Sequence, residues 1–285
     1  LCVVHRGGQP CVTSSGAPEN RFMLCPATDC EIIDTWTAGG LRGTGSHDVV
    51  VSDVFVPESY GSSWTDPFVL PSARYRVPAM SRVLPGLGAM GLGIARGAIE
   101  TLVELAVAKV PARTTHRLCE DGGAQTRLSQ AEALVRSGRL FLFDAVDRLW
   151  QAASAGHDAT MEARAQLRLA TSHAVSNAAQ AVDLAYTTGG ANSLYATCPI
   201  ERAFRDVHAI TSTSAFTPRH REHRARIVRS GTGHPDLLIH QRPFIRQTSP
   251  RAAKICSRVV ASPFIRDQDR PLPAPMTILC DSCYQ

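Results

Sequence analysis

Between residues 79 and 210 apolar side chains return every three or four positions through three long stretches, and nothing else in the chain restricts its fold so strongly. The first stretch, 79–109, carries Met80, Leu84, Leu87, Gly91, Ile94, Ala95, Ala98 and Leu102 on one stripe. Its glycines (Gly86, Gly88, Gly91, Gly93, Gly97) leave room for a neighbouring helix, each at a cost of up to about 1 kcal/mol in helix propensity. Pro111 stops it. The second, 125–155, aligns Leu128, Ala131, Leu134, Val135, Gly138, Phe141, Leu142, Ala145, Val146 and Leu149. The third, 158–187, aligns Leu167, Ala170, Ala174, Ala178, Ala181 and Leu184, with Asp158 or Thr160 as N-cap and Gly189 and Gly190 past its end. A short helix over 200–209 follows Pro199. Long amphipathic helices joined by short connections predict a four-helix bundle.

The rest of the chain has other textures. Short apolar or alternating runs at 2–5, 21–25, 30–36 and 48–56 read as strands between Gly/Pro/Ser-rich turns, with Pro57 ending the last. The predicted class is therefore α+β. Four segments result: a β-domain over 1–60, a linker over 61–78, the bundle over 79–210 and a tail over 211–285. That tail holds eight of the eighteen prolines and arginines without period, so it is expected to be disordered or foreign to the fold, as after a shift of reading frame. It also carries the charge. Of the net +5, the tail has 12 Lys/Arg against 5 Asp/Glu, which leaves 18 against 20 for the body. A basic tail with only Phe216, Phe244, Phe264 and Tyr284 lacks the interleaved aromatics of a nucleic-acid binder, so no nucleic-acid partner is expected.

A 44% hydrophobic, 19% charged composition suits a globular chain, and no apolar run is long enough for a membrane helix. Nine irregularly spaced cysteines and no secretion leader lead to the expectation of reduced thiols in a cytoplasm. Cys280 and Cys283 form a C-x-x-C pair without two further ligands, so no metal site is predicted.

Chemistry concentrates in Glu31 to Glu58, where Gly39, Gly40, Gly43 and Gly45 surround Arg42, Thr44, Ser46 and His47. Composition alone reads this as a hairpin loop, and neither nucleotide-binding glycine fingerprint fits it. The string G-L-R-G-T-G-S-H-D followed by a strand ending V-P-E nevertheless resembles the close of the middle β-domain in the acyl-CoA dehydrogenase superfamily. Leu84 to Ala98 (L-P-G-L-G-A-M-G-L-G-I-A-R-G-A) resembles the first helix of that superfamily's C-terminal bundle. Thr188, Gly189 and Gly190, then P-I-E-R-A-F-R-D-V-H-A from Pro199, are similar to its last two helices. The resemblance implies the end of a β-barrel-like middle domain followed by a helical bundle. With the family's earlier half missing, the chain, which starts at Leu1, reads as a C-terminal portion.

Two chemistries occur on that scaffold. Dehydrogenases abstract the α-proton of an acyl thioester with a carboxylate on a Tyr-Glu-Gly-Thr loop, and no such string occurs here. Nor does the Arg-Lys-x-Phe-Gly segment that holds a neighbour's flavin; the equivalent region is K-V-P-A-R-T-T-H-R-L-C-E-D-G-G from Lys109. Both departures, and R-D-V-H at Arg205, resemble the flavin-dependent monooxygenase branch. That branch implies reduced FMN or FAD from a separate flavin reductase, a small-molecule and in some members aromatic substrate, and a homo-oligomer, usually a tetramer. An acyl-CoA dehydrogenase with its base elsewhere, and a non-catalytic fragment contributing only an oligomerisation bundle, remain as alternatives.

The resemblance also implies roles. Arg113 suits flavin phosphate across a subunit interface, or is a solvated loop arginine. Gly189 and Gly190 present backbone to the flavin, or cap a helix. Trp36 walls a flavin or substrate pocket, or belongs to the core. His208 is the histidine of the motif-bearing helix and the candidate proton-transfer residue, although the branch places its working histidine later, at Thr213 here. Arg205 and Asp206 are expected to pair with each other, and His173 to be packed.

Overall fold

The computed structural model describes residues 1–14, 16–63, 66–68 and 70–212, with the backbone of two strands at 258–261 and 276–280. Contacts divide it into two units. One comprises Leu1–Thr37, Thr44–Val69 and the two C-terminal strands; the other comprises Ala38–Gly43 and the chain from Leu70.

The first unit is small and β-rich. β1 (Cys2–Arg6) pairs antiparallel with β2 (Gln9–Pro10) and β3 (Asn20–Met23), so that Cys2 opposes Arg21 and His5 opposes Pro10. β4 (Cys30–Ile33) and β5 (Asp48–Val51) form a separate two-stranded ladder running from Cys30 opposite Val51 to Ile33 opposite Asp48. β5 stops five residues short of the expected strand end at Val56, because Asp53 takes a left-handed φ of 51° that no extended strand accommodates. The expected alternation fails as well: Val50 and Val51 are both buried. β6 (Gly61–Ser62) pairs with β3.

Two short strands fall within the segment read as a disordered or foreign tail. β7 (Arg258–Ala261) and β8 (Met276–Cys280) pair with each other, and β8 lies along β1 with Cys2 opposite Cys280, giving the order β6-β3-β1-β8-β7. Such pairing joins residues far apart in sequence, which local composition does not encode. The arginines from Arg219 to Arg229 and Cys283 lie outside the described residues.

The second unit makes the chain mostly helical. After a one-turn helix α1 (Ala73–Arg76) come α2 (Ala79–Ala108), α3 (Gly122–Ser154), α4 (Met161–Gly189) and α5 (Pro199–Thr211). The boundaries follow local chemistry. Asp121 accepts from the Ala124 N–H at 2.7 Å, Thr160 accepts from Ala163 at 3.2 Å, and Pro199 opens α5, where a missing N–H costs nothing. The core is built of Leu92, Ala95, Ile99 and Leu102 from α2, Ala131, Val135 and Leu142 from α3, Ala174, Ala178 and Val182 from α4, and Ile200 and Val207 from α5.

Only some of the glycines expected to ease helix approach do so. A Cβ at Gly88 would lie 3.1 Å from Leu142 and one at Gly91 3.5 Å from Ala178; on α3, one at Gly138 would lie 3.3 Å from the Ala174 backbone. Gly86, Gly93 and Gly97 face open space. Arg96 of α2 ties to α3 through a two-pronged ion pair with Glu132 at 2.7 and 3.1 Å, and Arg136 adds a third bond at 2.6 Å. Accepting from Arg96 and then Arg136 holds the Glu132 carboxyl below its ordinary range, against the opposing effect of burial.

Candidate functional site

α5 organises the motif residues of the helical unit. Arg205 does not pair with Asp206 as expected; its guanidinium grips Glu201 one turn back, Nε–Oε1 at 2.7 Å and Nη2–Oε2 at 2.9 Å. Adjacent helix residues point apart, whereas positions four apart share a face. The bond from Arg205 pulls the Glu201 carboxyl below its ordinary value. Both motif residues are then free to hold the glycine loop: Arg205 Nη1 donates to the Gly39 carbonyl at 2.7 Å, and Asp206 Oδ1 accepts from the Leu41 N–H at 2.7 Å. Gly40 between them is buried against the Arg205 carbonyl, where no Cβ fits. Leu41 adopts a left-handed φ of 53°, and its side chain packs on Val175 and Ile210. Gly39 to Leu41 of the G-G-L-R string thus serve as a docking strap on α5.

His208, on the next turn, meets Asp183 of α4, with Nε2 to Oδ1 at 2.8 Å and both side chains part-exposed. Phe204 presents its ring edge-on to the imidazole at 4.6 Å and stacks on Tyr186 at 4.4 Å. The carboxylate fixes which nitrogen carries the proton and leaves Nδ1 as the second exchange point of the ring. Asp183 also lines a groove of about 790 Å³ between α3 and α4, with Gln130, Leu134, Ser137, Gln180 and Leu184. Thr213 lies outside the described residues.

At the far end of α4, Gly189 forms the helix's last residue and Gly190 caps it at φ 59°, its N–H bonded to the Thr187 carbonyl. Lys109, which follows α2, donates from Nζ to the Gly189 carbonyl at 2.7 Å. Arg113, four residues on, is exposed in a left-handed turn at φ 66°, and no partner holds its guanidinium among the described residues. Arg113 is an open cation whose fork suits a phosphate, whereas Lys109 and the Gly190 amide are already spent on the Gly189 and Thr187 carbonyls.

Trp36 belongs to the other unit. It is half-buried, neither core nor fully open, and its backbone N–H donates to His47 Nδ1 at 3.2 Å. Asp34 Oδ1 lies 3.2 Å from the same nitrogen. One nitrogen cannot accept from Trp36 and donate to Asp34 at once, so only one of these two contacts is a hydrogen bond in a given tautomer. His173, expected to be packed, is exposed, though it bonds Asn177 at 3.1 Å and meets the Phe141 ring edge-on. Among the described residues no group of three or more His, Cys, Asp or Glu is placed to hold a metal. None of their helices is long and apolar enough to cross a membrane.

Asp183 and Lys109 were not singled out by sequence reasoning. Asp183 had a signal: it is the one charge in the otherwise apolar run A-V-D-L-A.

This helical scaffold, with its R-D-V-H helix strapped by a glycine loop, matches a known class. Residues 86–218 match the family described as acyl-CoA dehydrogenase, C-terminal domain. Among relatives, an indole-3-acetate monooxygenase of Pseudomonas putida is 33% identical over 197 residues, covering 67% of this chain and 49% of the relative. The oxygenase component of an FADH2-dependent resorcinol hydroxylase of Rhizobium sp. is 29% identical over 218 residues, covering 69% and 52%. The crystal structure of 3-HSA hydroxylase from Rhodococcus sp. RHA1 superposes with a TM-score of 0.71 at 26% identity, covering 81% of this chain and 61% of that one. The homologues are thus flavin-dependent monooxygenases, and this chain spans about half the length of the curated relatives it matches.

Proposed function

We propose that the chain is the C-terminal portion of the oxygenase component of a two-component flavin-dependent monooxygenase acting on a small aromatic substrate. Its likeness to oxygenases of indole-3-acetate and resorcinol carries this reading. Reduced flavin, FMN or FAD, comes from a separate reductase and supplies the oxygen chemistry when bound. The exposed Arg113 fits the flavin's phosphate through its planar fork, and part-buried Lys109 holds the turn at Gly189 and Gly190 in shape. Trp36 forms part of the wall of the flavin or substrate pocket.

His208 moves the proton, with Asp183 orienting the ring from Nε2. Phe204 packs edge-on against the imidazole and is itself backed by Tyr186, which fixes the plane of the ring. In this reading 1–60 is the end of a barrel-like middle domain, 61–78 a linker and 79–210 a four-helix bundle that assembles as a homotetramer in the cytoplasm. The test is anaerobic titration of the chain with reduced FMN and FAD, then oxygen exposure with an aromatic substrate. Flavin binding with formation of a hydroxylated product is expected. Absence of flavin binding overturns the reading, and oxidation of an acyl thioester by bound oxidised flavin replaces it with dehydrogenase chemistry.

A further inference from the structure

We infer that the N-terminal turns of α2 and α4 form an oxyanion-binding site, in which the guanidiniums of Arg164 and Arg168 and the hydroxyl of Ser81 take a carboxylate or phosphate group carried by a small molecule. The site goes beyond the flavin reading and does not depend on it. Several arginines of the bundle have an acid at helical spacing or across a helix contact: Arg136 and Arg96 share Glu132, Arg148 has Asp144 and Arg205 has Glu201. Arg164 has none. Its side chain is half-buried, and it makes no hydrogen bond, ion pair or ring contact among the described residues. Its neighbours on the same face of α4 are Thr160, Met161, Leu167 and Arg168, while Glu162, two residues off, lies on another side. Burial pushes the Arg164 guanidinium below its ordinary pKa, and burial and then the charge of Arg164 do the same to Arg168 one turn on. Arg96 and Arg205, by contrast, are raised by the carboxylates that hold them. A half-buried cation that nothing neutralises is a standing cost, and an anion removes it.

The same end of the bundle supplies a further donor. α2 and α4 run parallel: a Cβ at Gly88 would meet Thr171 and Ala174, one at Gly91 would meet Ala178 and Val175, and one at Gly189 would meet Leu105. Seven residues before Gly88 is Ser81, and seven before Thr171 and Ala174 are Arg164 and Leu167, each within about 20° of the same helix face. That register sets Ser81 level with the arginine pair. Ser81 is 8% exposed, and its hydroxyl has no hydrogen-bond partner among the described residues. The parallel course also brings both N-termini to this end, so both helix dipoles favour an anion there. α2 has Pro78 as its N-cap and no side chain capping its first N–H groups. A guanidinium carries five N–H donors, so Arg168 serves an oxyanion besides any bond it makes elsewhere.

The group bound here is not the phosphate assigned to Arg113. Arg164 and Gly189 are 25 residues apart on α4, about 37 Å along its axis, and Lys109 binds at the Gly189 end. Arginine forks grip carboxylate and phosphate alike, and two forks one turn apart close on a single group from two sides.

The full chain carrying Arg113→Ala, which silences the assigned flavin-phosphate position, is titrated by calorimetry with sodium phosphate and, separately, with sodium benzoate, the ionic strength being held by sodium chloride. Saturable binding of at least one is expected: of phosphate alone if the ligand is a phosphate ester, of benzoate alone if it is an organic acid, of both if the site reads any oxyanion. Adding Arg164→Gln is expected to weaken that binding about tenfold or more, and adding Ser81→Ala about threefold or more. The denaturation midpoint carries a signature that a merely structural arginine lacks. Without the anion, Arg164→Gln is expected to raise the midpoint because it removes an uncompensated charge; at saturating anion the order reverses. Circular dichroism checks that the variants keep their helix content. Binding of neither anion overturns the inference, as does binding that either Arg164→Gln or Ser81→Ala leaves unchanged. A midpoint order that is the same with and without the anion overturns it as well.

Discussion

Two neighbouring glycines in the strap, Gly39 and Gly40, make opposite predictions for the same substitution. A Cβ at Gly39 meets nothing within 4 Å, and its backbone is not in the left-handed region, so Gly39→Ala is expected to change stability by less than about 0.5 kcal/mol. A Cβ at Gly40 falls on the Arg205 carbonyl, an α5 backbone group that cannot turn aside. Gly40→Ala therefore lifts the strap. Two bonds with a charged partner go with it, Arg205 to the Gly39 carbonyl and Leu41 N–H to Asp206, the second of a kind worth about 1.5–3 kcal/mol. Because one short segment makes both, and Arg205 is about one-third exposed, they do not add in full. The expected loss is about 1.5–3 kcal/mol. Urea denaturation followed by circular dichroism measures it, and hydrogen exchange at the Leu41 amide localises it. A Gly40→Ala variant within 0.5 kcal/mol of wild type with the Leu41 amide still protected would refute the close approach on which the reasoning depends.

Further predictions concern the core, its ion network and the proposed site. Leu142→Ala removes a buried side chain that packs beside Gly88, and a loss of about 2–5 kcal/mol in denaturation is expected. Glu132 has its pKa lowered in the folded chain, so its contribution is complete above the ordinary carboxylate value and is lost as pH falls through the folded one. Glu132→Gln should therefore reduce stability at neutral pH by about 1 kcal/mol and flatten the acid limb of the stability profile; an unchanged limb contradicts the Arg96–Glu132 network. Arg113→Ala is expected to weaken binding of reduced flavin about tenfold or more in fluorescence titration without lowering the denaturation midpoint, whereas equal affinity removes Arg113 from the phosphate site. His208→Ala is expected to lower hydroxylated product at least about 10²-fold at saturating flavin, and product at the wild-type rate rules out its proton role.

The helices were legible because their signal is local. The expected 79–109, 125–155 and 158–187 differ from α2, α3 and α4 by at most three residues at either end, and the one large glycine error concerned which positions face a neighbour. Strands were less legible. Nothing in the sequence announces that Asp53 will turn left-handed, and β8 against β1 joins residues at opposite ends of the chain. In the site, His208 was visible from the R-D-V-H string, but its partner Asp183 lies 25 residues back on another helix, a relation set only by packing. Arg205 offers the opposite lesson. Its true partner, Glu201, was available from helical spacing, while the adjacent Asp206 could not face it.

The strap has one consequence for how the chain can be divided. Ala38–Gly43 is grouped with the helices although the residues on both sides of it are grouped with the strands. A cut in the proline-rich segment before α2 therefore does not release a whole helical piece: it leaves Asp206 without the Leu41 amide, Arg205 without the Gly39 carbonyl, and the apolar floor at Val175 and Ile210 uncovered. The two units are interleaved in the covalent chain, and a helical fragment started at Leu70 would need the missing six residues returned as a separate peptide.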